Sequence, residues 1–193
     1  MKRIKQLSGA VRAIGETIAQ RATGLYEQAF PRALEKRFIK EWAAVLTTNA
    51  KVYTGMYASL VRVADGKSKK PEKVLREWTA RAAYQWENSS ITELCKRTLS
   101  PASESGSAED CARWARLLLQ AAKQAGVTKD RKDTVLTLDD SSIRAYTEWD
   151  GQDIYPEDTV KVMLPAWYQK GRVLEQGQCT LVTGDDAAEM KRE

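Results

Sequence analysis

The apolar residues change their period at Gly126, and that change limits what the chain can fold into. Before it, they recur in steps of three and four, the spacing of one face of an α-helix. After it, they alternate with polar residues, as in a half-buried β-strand. A helical period does not sit still as a strand, so the pattern predicts an α+β chain. A helical N-terminal stalk and bundle would occupy residues 1–130, a small C-terminal β domain residues 131–183, and a flexible tail residues 184–193.

Ile4, Leu7, Val11, Ile14, Ile18 and Leu25 form a first stripe close to the heptad seam of a coiled coil. Gly9, Gly15 and Gly24 interrupt it. Each would cost an exposed helix about 1 kcal/mol, so the seam is expected to need a partner helix and to hold a homodimer. Pro31 suits the first turn of a new helix. A second stripe then runs through Leu34, Phe38, Trp42, Val45, Val52, Met56, Leu60 and Val63 until Asp65-Gly66 ends it. Lys67–Lys70 reads as a basic loop, and Pro71 opens a third helix with Val74, Leu75, Trp78, Ala82 and Trp86 on one side. Ser90–Glu93 reads as the capping box of a short helix carrying Leu94 and Leu99. Ser100–Ser107 reads as a loop by composition. Ser107, with Asp110 three residues on, caps a last helix that Gly126 stops. Thr134–Leu138, Val160–Leu164, Arg172–Leu174 and Cys179–Val182 are the strand candidates.

Charge divides the chain in a similar way. Residues 1–40 hold nine basic and three acidic residues, residues 41–133 sixteen and eleven, and residues 134–193 six and twelve. A basic front would suit RNA, DNA or a membrane surface, although an ordinary solvated helical face is the simpler account. The chain contains no histidine. That removes the commonest general base, the commonest zinc ligand and every His-based triad. Cys95, Cys111 and Cys179 show no CxxC spacing, so neither a zinc site nor a disulfide framework is suggested, and a reducing cytoplasm is expected. No apolar run approaches the roughly 18 residues of a membrane span, and Met1–Ala10 lacks the core of a signal peptide.

No catalytic constellation emerges, and no cofactor is implied. The interval from Gly171 to Gly177 lacks the Lys-Ser/Thr ending of a phosphate loop. Asp139-Asp140 and Glu157-Asp158 could hold a hard cation, but adjacent acids in turns more often form the turn itself. Cys179 on an alternating strand reads as a small buried hydrophobe. Trp42, Trp78, Trp86 and Trp114 fall on apolar stripes and read as core. Lys73, Arg76 and Arg81 around Trp78 would alternatively suit stacked bases. Trp149, Trp167 and Tyr168 lie beside turns of the β part, where large rings either close a small core or anchor a partner.

The stretch from Leu117 to Val182 resembles the C-terminal part of GrpE, the nucleotide exchange factor of DnaK-type chaperones. The resemblance is an ordered series. It comprises a helix ending at Ala125-Gly126-Val127, the pair Leu138-Asp139, then Ala145, the turn Ile154-Tyr155-Pro156, the strand Thr159–Met163, the aromatic Trp167, the turn Gly171-Arg172-Val173-Leu174 and the closing strand Cys179–Val182. The chain departs from the family at Arg144 (histidine there), at Pro165-Ala166 (lysine-glycine there) and at Glu175-Gln176-Gly177 (arginine-proline-alanine there).

The resemblance implies a co-chaperone, not an enzyme. It would act by binding the open form of a chaperone ATPase domain more tightly than the closed form, so that ADP leaves. The β domain would be the wedge, with Trp167, Tyr168, Arg172 and Glu175 as exposed contacts and Ile154 and Pro156 as supports. The helical stalk would hold the dimer. The departures leave two other classes open: an adaptor or structural subunit that kept the fold and lost exchange activity, and a basic module on nucleic acid or a membrane surface.

Overall fold

The computed structural model describes residues 31–182. The seam from Ile4 to Leu25, the dimer expected from it and the tail from residue 184 lie outside the described residues. The chain divides into two compact units, residues 1–40 and 41–193. The architecture is α+β, with helices up to Gln124 and strands from Val127 onward. No helix among the described residues is long and apolar enough to cross a membrane.

Helix α1 is described over Pro31–Asn49. The second apolar stripe is not one helix, as its period suggested. It breaks into α1, a 3-10 turn at Ala50–Tyr53 and α2 at Tyr57–Ala64. Gly55 adopts a φ of +81°, which redirects the backbone there, and the Tyr57 hydroxyl closes the corner by donating to Ala50 O at 2.8 Å. The break drives two rings inward. Tyr53 stacks on Trp78 with centroids 4.1 Å apart, and Trp42 meets Trp78 edge-on at 5.8 Å. Trp42, Tyr53, Tyr57 and Trp78 are all fully buried. Such ring pairs add about 0.5–1.5 kcal/mol each beyond the area they bury. Trp78 is therefore core and offers no face to a nucleic-acid base, and Arg81 beside it donates to Val52 O at 2.6 Å.

Helix α3 spans Pro71–Gln85 with its proline in the first turn, where the missing N–H costs nothing. Helix α4 covers Ser90–Arg97, and its cap is Ser89, one residue before the expected box, accepting from Thr92 N. The serine-rich stretch expected to be a loop is helix α5, Leu99–Ser105. Pro101 lies in its first turn, the Ser103 and Ser105 hydroxyls donate back to Ser100 O and Ala102 O, and Leu99 and Ala102 are buried. Burial overrides composition here, and Gly106, at φ +67°, ends the helix. Helix α6, Ala108–Gln124, starts on the Ser107 cap and stops at Gly126, at φ +78°. It packs along α2 and α3.

The strands form two sheets. The smaller has the order β1-β5-β6, with β1 at Val127–Lys129, β5 at Trp167–Gln169 and β6 at Arg172–Glu175, all antiparallel. The larger has the order β2-β4-β7-β3, with β2 at Val135–Thr137, β3 at Tyr146–Glu148, β4 at Thr159–Leu164 and β7 at Gly177–Leu181. In it β3 runs parallel to β7, and the other pairs are antiparallel. Strand β1 starts before residue 131 and pairs with β5, so β structure reaches across the boundary expected at residue 130. Val160 and Val162 point inward from β4 and join Leu138, Ala145, Tyr146, Ala166 and Cys179 in one apolar cluster.

Candidate functional site

The β5–β6 hairpin carries four of the six residues expected to meet a partner. Gln169 pairs with Arg172, leaving Lys170 and Gly171 as the two turn residues, both at positive φ (51° and 72°). Two such residues let the turn follow the natural twist of the strands.

Three of those four side chains turn toward the protein itself. Trp167 is 5% exposed, with its ring stacked on Tyr57 at 5.2 Å and the Lys129 ammonium 5.5 Å from its centroid. It closes the core and is no exposed contact. Glu175 is half-buried, and its carboxylate accepts from the backbone N–H of Tyr57, the first residue of α2, at 3.1 Å. A negative charge at a helix start satisfies an orphan donor and complements the helix dipole. Tyr168 is half-buried and donates to Asp130 Oδ2 at 2.9 Å, a carboxylate that also accepts from Tyr146. Burial, joined by the Asp130 carboxylate, pushes the Tyr168 hydroxyl up to about 12. The neighbouring Gln169 donates to Leu46 O and Ala125 O, at 2.8 and 2.9 Å, and so ties the ends of α1 and α6 to the hairpin. These contacts tie the smaller sheet to the helices.

Arg172 does face outward. With Lys170 and Lys51 it lines a cleft of about 550 Å³ whose wall also includes Thr47 and Thr48. The other two predicted residues lie on the turn before β4. Pro156 is exposed, whereas Ile154 is half-buried against the apolar cluster and acts as a support.

The same loop, Trp149 to Asp158, also holds Trp149, which the sequence left as either core or partner anchor, and Tyr155, which it did not single out as a contact. Trp149 is 50% and Tyr155 61% exposed, two of the largest apolar side chains left in solvent. Asp150, Asp153, Glu157 and Asp158 accompany them, and the loop carries no basic residue. Both ends are held. Trp149 N donates to Cys179 O at 2.9 Å, and Thr180 Oγ1 donates to Asp150 Oδ2 at 2.7 Å. Tyr155 N donates to Asp158 Oδ2 at 2.7 Å, and Glu157 N to Leu138 O at 2.8 Å. A pinned loop that holds two exposed rings among acidic residues suits a protein surface with apolar and cationic groups. The available signal for Tyr155 was its place directly before Pro156 in an acid-rich turn, Ile154 having taken the inward position.

The acidic pairs do turn chemistry. Asp139 accepts from Ser141 N, Ser141 Oγ and Ser142 N at 2.6–2.9 Å, and these hydrogen bonds, that of the Ser141 side chain first, hold its carboxyl well below the usual range. Cys179 is fully buried, and burial raises its thiol. No protein-family model matches this chain, and no curated protein or solved structure compared with it is similar. Fold and site together define a helical chain with a firmly docked β module that presents an aromatic-acidic loop and a basic hairpin cleft.

Proposed function

We propose that this chain is a GrpE-like co-chaperone: it binds the ATPase domain of a DnaK-type chaperone and promotes ADP release. The observation that carries the reading is the order of the resembling residues along the fold. Gly126 ends the last helix, Leu138 enters the β core, Ile154–Pro156 forms the turn before a strand, Thr159–Met163 lies in β4, Lys170-Gly171 turns the hairpin, and Cys179–Leu181 lies in the closing strand β7.

Mechanical stiffness supports it too. A factor that opens a cleft needs different affinities for its open and closed forms, since a ligand of equal affinity shifts nothing. A hundredfold weakening of nucleotide binding needs a coupling of about 2.7 kcal/mol. A module that folded back on its own stem would dissipate that preference. The Trp167–Tyr57 stack, the Glu175 cap and the Gln169 bridge oppose such bending. Trp149, Tyr155 and Pro156 form the contact surface in this reading, and Arg172 adds the basic edge.

The test is release of a fluorescent ADP analogue from a purified DnaK-type ATPase domain, with the whole chain added. The expected result is a faster release that saturates with concentration and drops with Trp149→Ala and Tyr155→Ala. No acceleration at several-fold excess over each cognate chaperone refutes the reading.

A further inference from the structure

A second basic cavity lies between the end of α2, the loop after it and the start of α3. Its volume is about 500 Å³. Arg62, Lys67, Lys69, Lys70 and Lys73 line it, and Glu77 is the one carboxylate in the lining. Glu77 is engaged by Lys73 at 3.8 Å, with both side chains more than half exposed, so its neutralising effect falls on one cation of the five. The acids next in sequence, Asp65 and Glu72, do not line the cavity. Among the described residues, Arg62, Lys67, Lys69 and Lys70 make no ion pair.

Four unpaired cations converging on one concavity repel one another, and nothing in the fold requires them there. Buried apolar residues, Leu60 and Val63 on α2 and Leu75, Trp78 and Ala82 on α3, anchor the two helices to the core without them. Two hydroxyls complete the wall. Ser68 Oγ accepts from Lys70 N at 3.4 Å, which leaves its O–H to donate, and Ser59 faces the same space. Ammonium groups and hydroxyl donors around a roomy pocket match tetrahedral oxyanions borne close together on one ligand. No ring lines the cavity, so the match is to phosphates and not to stacked bases.

We propose that this pocket binds an oligophosphate, a ligand carrying two or more adjacent phosphate groups, free or as a lipid headgroup. The proposal uses none of the residues assigned to the chaperone surface and stands or falls apart from that reading. The probes are inorganic tripolyphosphate, titrated calorimetrically into the full chain at low salt, and phosphatidylcholine vesicles with and without phosphatidylinositol 4,5-bisphosphate. Binding of tripolyphosphate that weakens about tenfold or more in ~0.15 M salt is expected, since screening there acts within about 8 Å. The triple variant K67A/K69A/K70A should lose that binding, and K123A/K132A, with two exposed lysines removed elsewhere, should keep it. Lys69→Glu alone, in an exposed loop position, gives the same answer should the triple variant fold poorly. Recruitment only to the phosphoinositide vesicles through the same lysines identifies a headgroup, and binding of free tripolyphosphate without recruitment identifies a soluble ligand. Absence of binding to either probe, equal loss in both lysine sets, or a single-stranded oligonucleotide bound at least a hundredfold more tightly than tripolyphosphate overturns the proposal.

Discussion

Gly177→Ala should destabilise the β module through one close approach. Gly177 is buried in the first position of β7, opposite Tyr146 of β3. A Cβ there would lie 2.4 Å from Leu164 O, 2.6 Å from Ala166 N and 2.9 Å from Pro165 C. All three are backbone atoms, so no side chain can swing aside. The pairing of β4 with β7 shifts register between Val162 and Leu164, the residue whose carbonyl Gly177 approaches. Overpacking of this kind costs about 1–3 kcal/mol, and three simultaneous backbone contacts argue for the upper half, about 2–3 kcal/mol. For a chain of this length the midpoint of thermal unfolding should fall by roughly 4–12 °C.

The same geometry couples two positions at which the chain differs from the resemblance. Where the resemblance implies glycine before the aromatic and alanine after the hairpin, this chain has Ala166 and Gly177. Ala166→Gly alone should cost about 1–2 kcal/mol, from lost burial of a fully buried methyl and a more flexible backbone. The double variant A166G/G177A should then recover about 1 kcal/mol or more relative to the sum of the two, because a glycine at 166 lets the strand move away. Urea or thermal unfolding followed by tryptophan fluorescence measures both. A midpoint for Gly177→Ala within about 1 °C of the parent refutes the close approach, and strict additivity refutes the coupling of the two positions.

Other outcomes follow from the same contacts. Trp167→Ala should cost about 3–5 kcal/mol in an unfolding titration, because it empties a buried ring site. Trp149→Ala and Tyr155→Ala, half-exposed or more, should stay within about 0.5 kcal/mol of the parent while slowing ADP release. Alkali should unfold the chain from about pH 10 upward. Folded Tyr168 titrates at about 12 instead of 10.0, so the folded state keeps a proton that the unfolded state loses. The stabilisation is complete below pH 10 and lost as pH rises toward 12, and Tyr168→Phe should flatten that slope in pH-dependent circular dichroism. Cys95, Cys111 and Cys179 are all buried, and burial raises the Cys95 thiol to about 12. A thiol reagent should therefore label them only at the rate of unfolding, and fast stoichiometric labelling of the native chain would contradict the packing.

The sequence by itself determined whatever depends on neighbours a few residues away. The Ser107 cap, Pro71 in a first helical turn, the stop at Gly126, the alternation of β4 and the acid-rich turns are all short-range hydrogen bonding and steric preference, visible in order along the chain. The serines of α5 defeated that reading because burial of Leu99 and Ala102 outweighs their preference for loops. Only the tertiary structure decided which rings are hidden. Trp167 and Glu175 looked like exposed hairpin residues until Tyr57, more than a hundred positions earlier, supplied a ring to stack on and an N–H to accept. The Gly177 approach arises likewise from segments brought together by packing, where local spacing carries no information about which atoms will meet, whereas the basic cavity gathers a lysine run already visible along the chain.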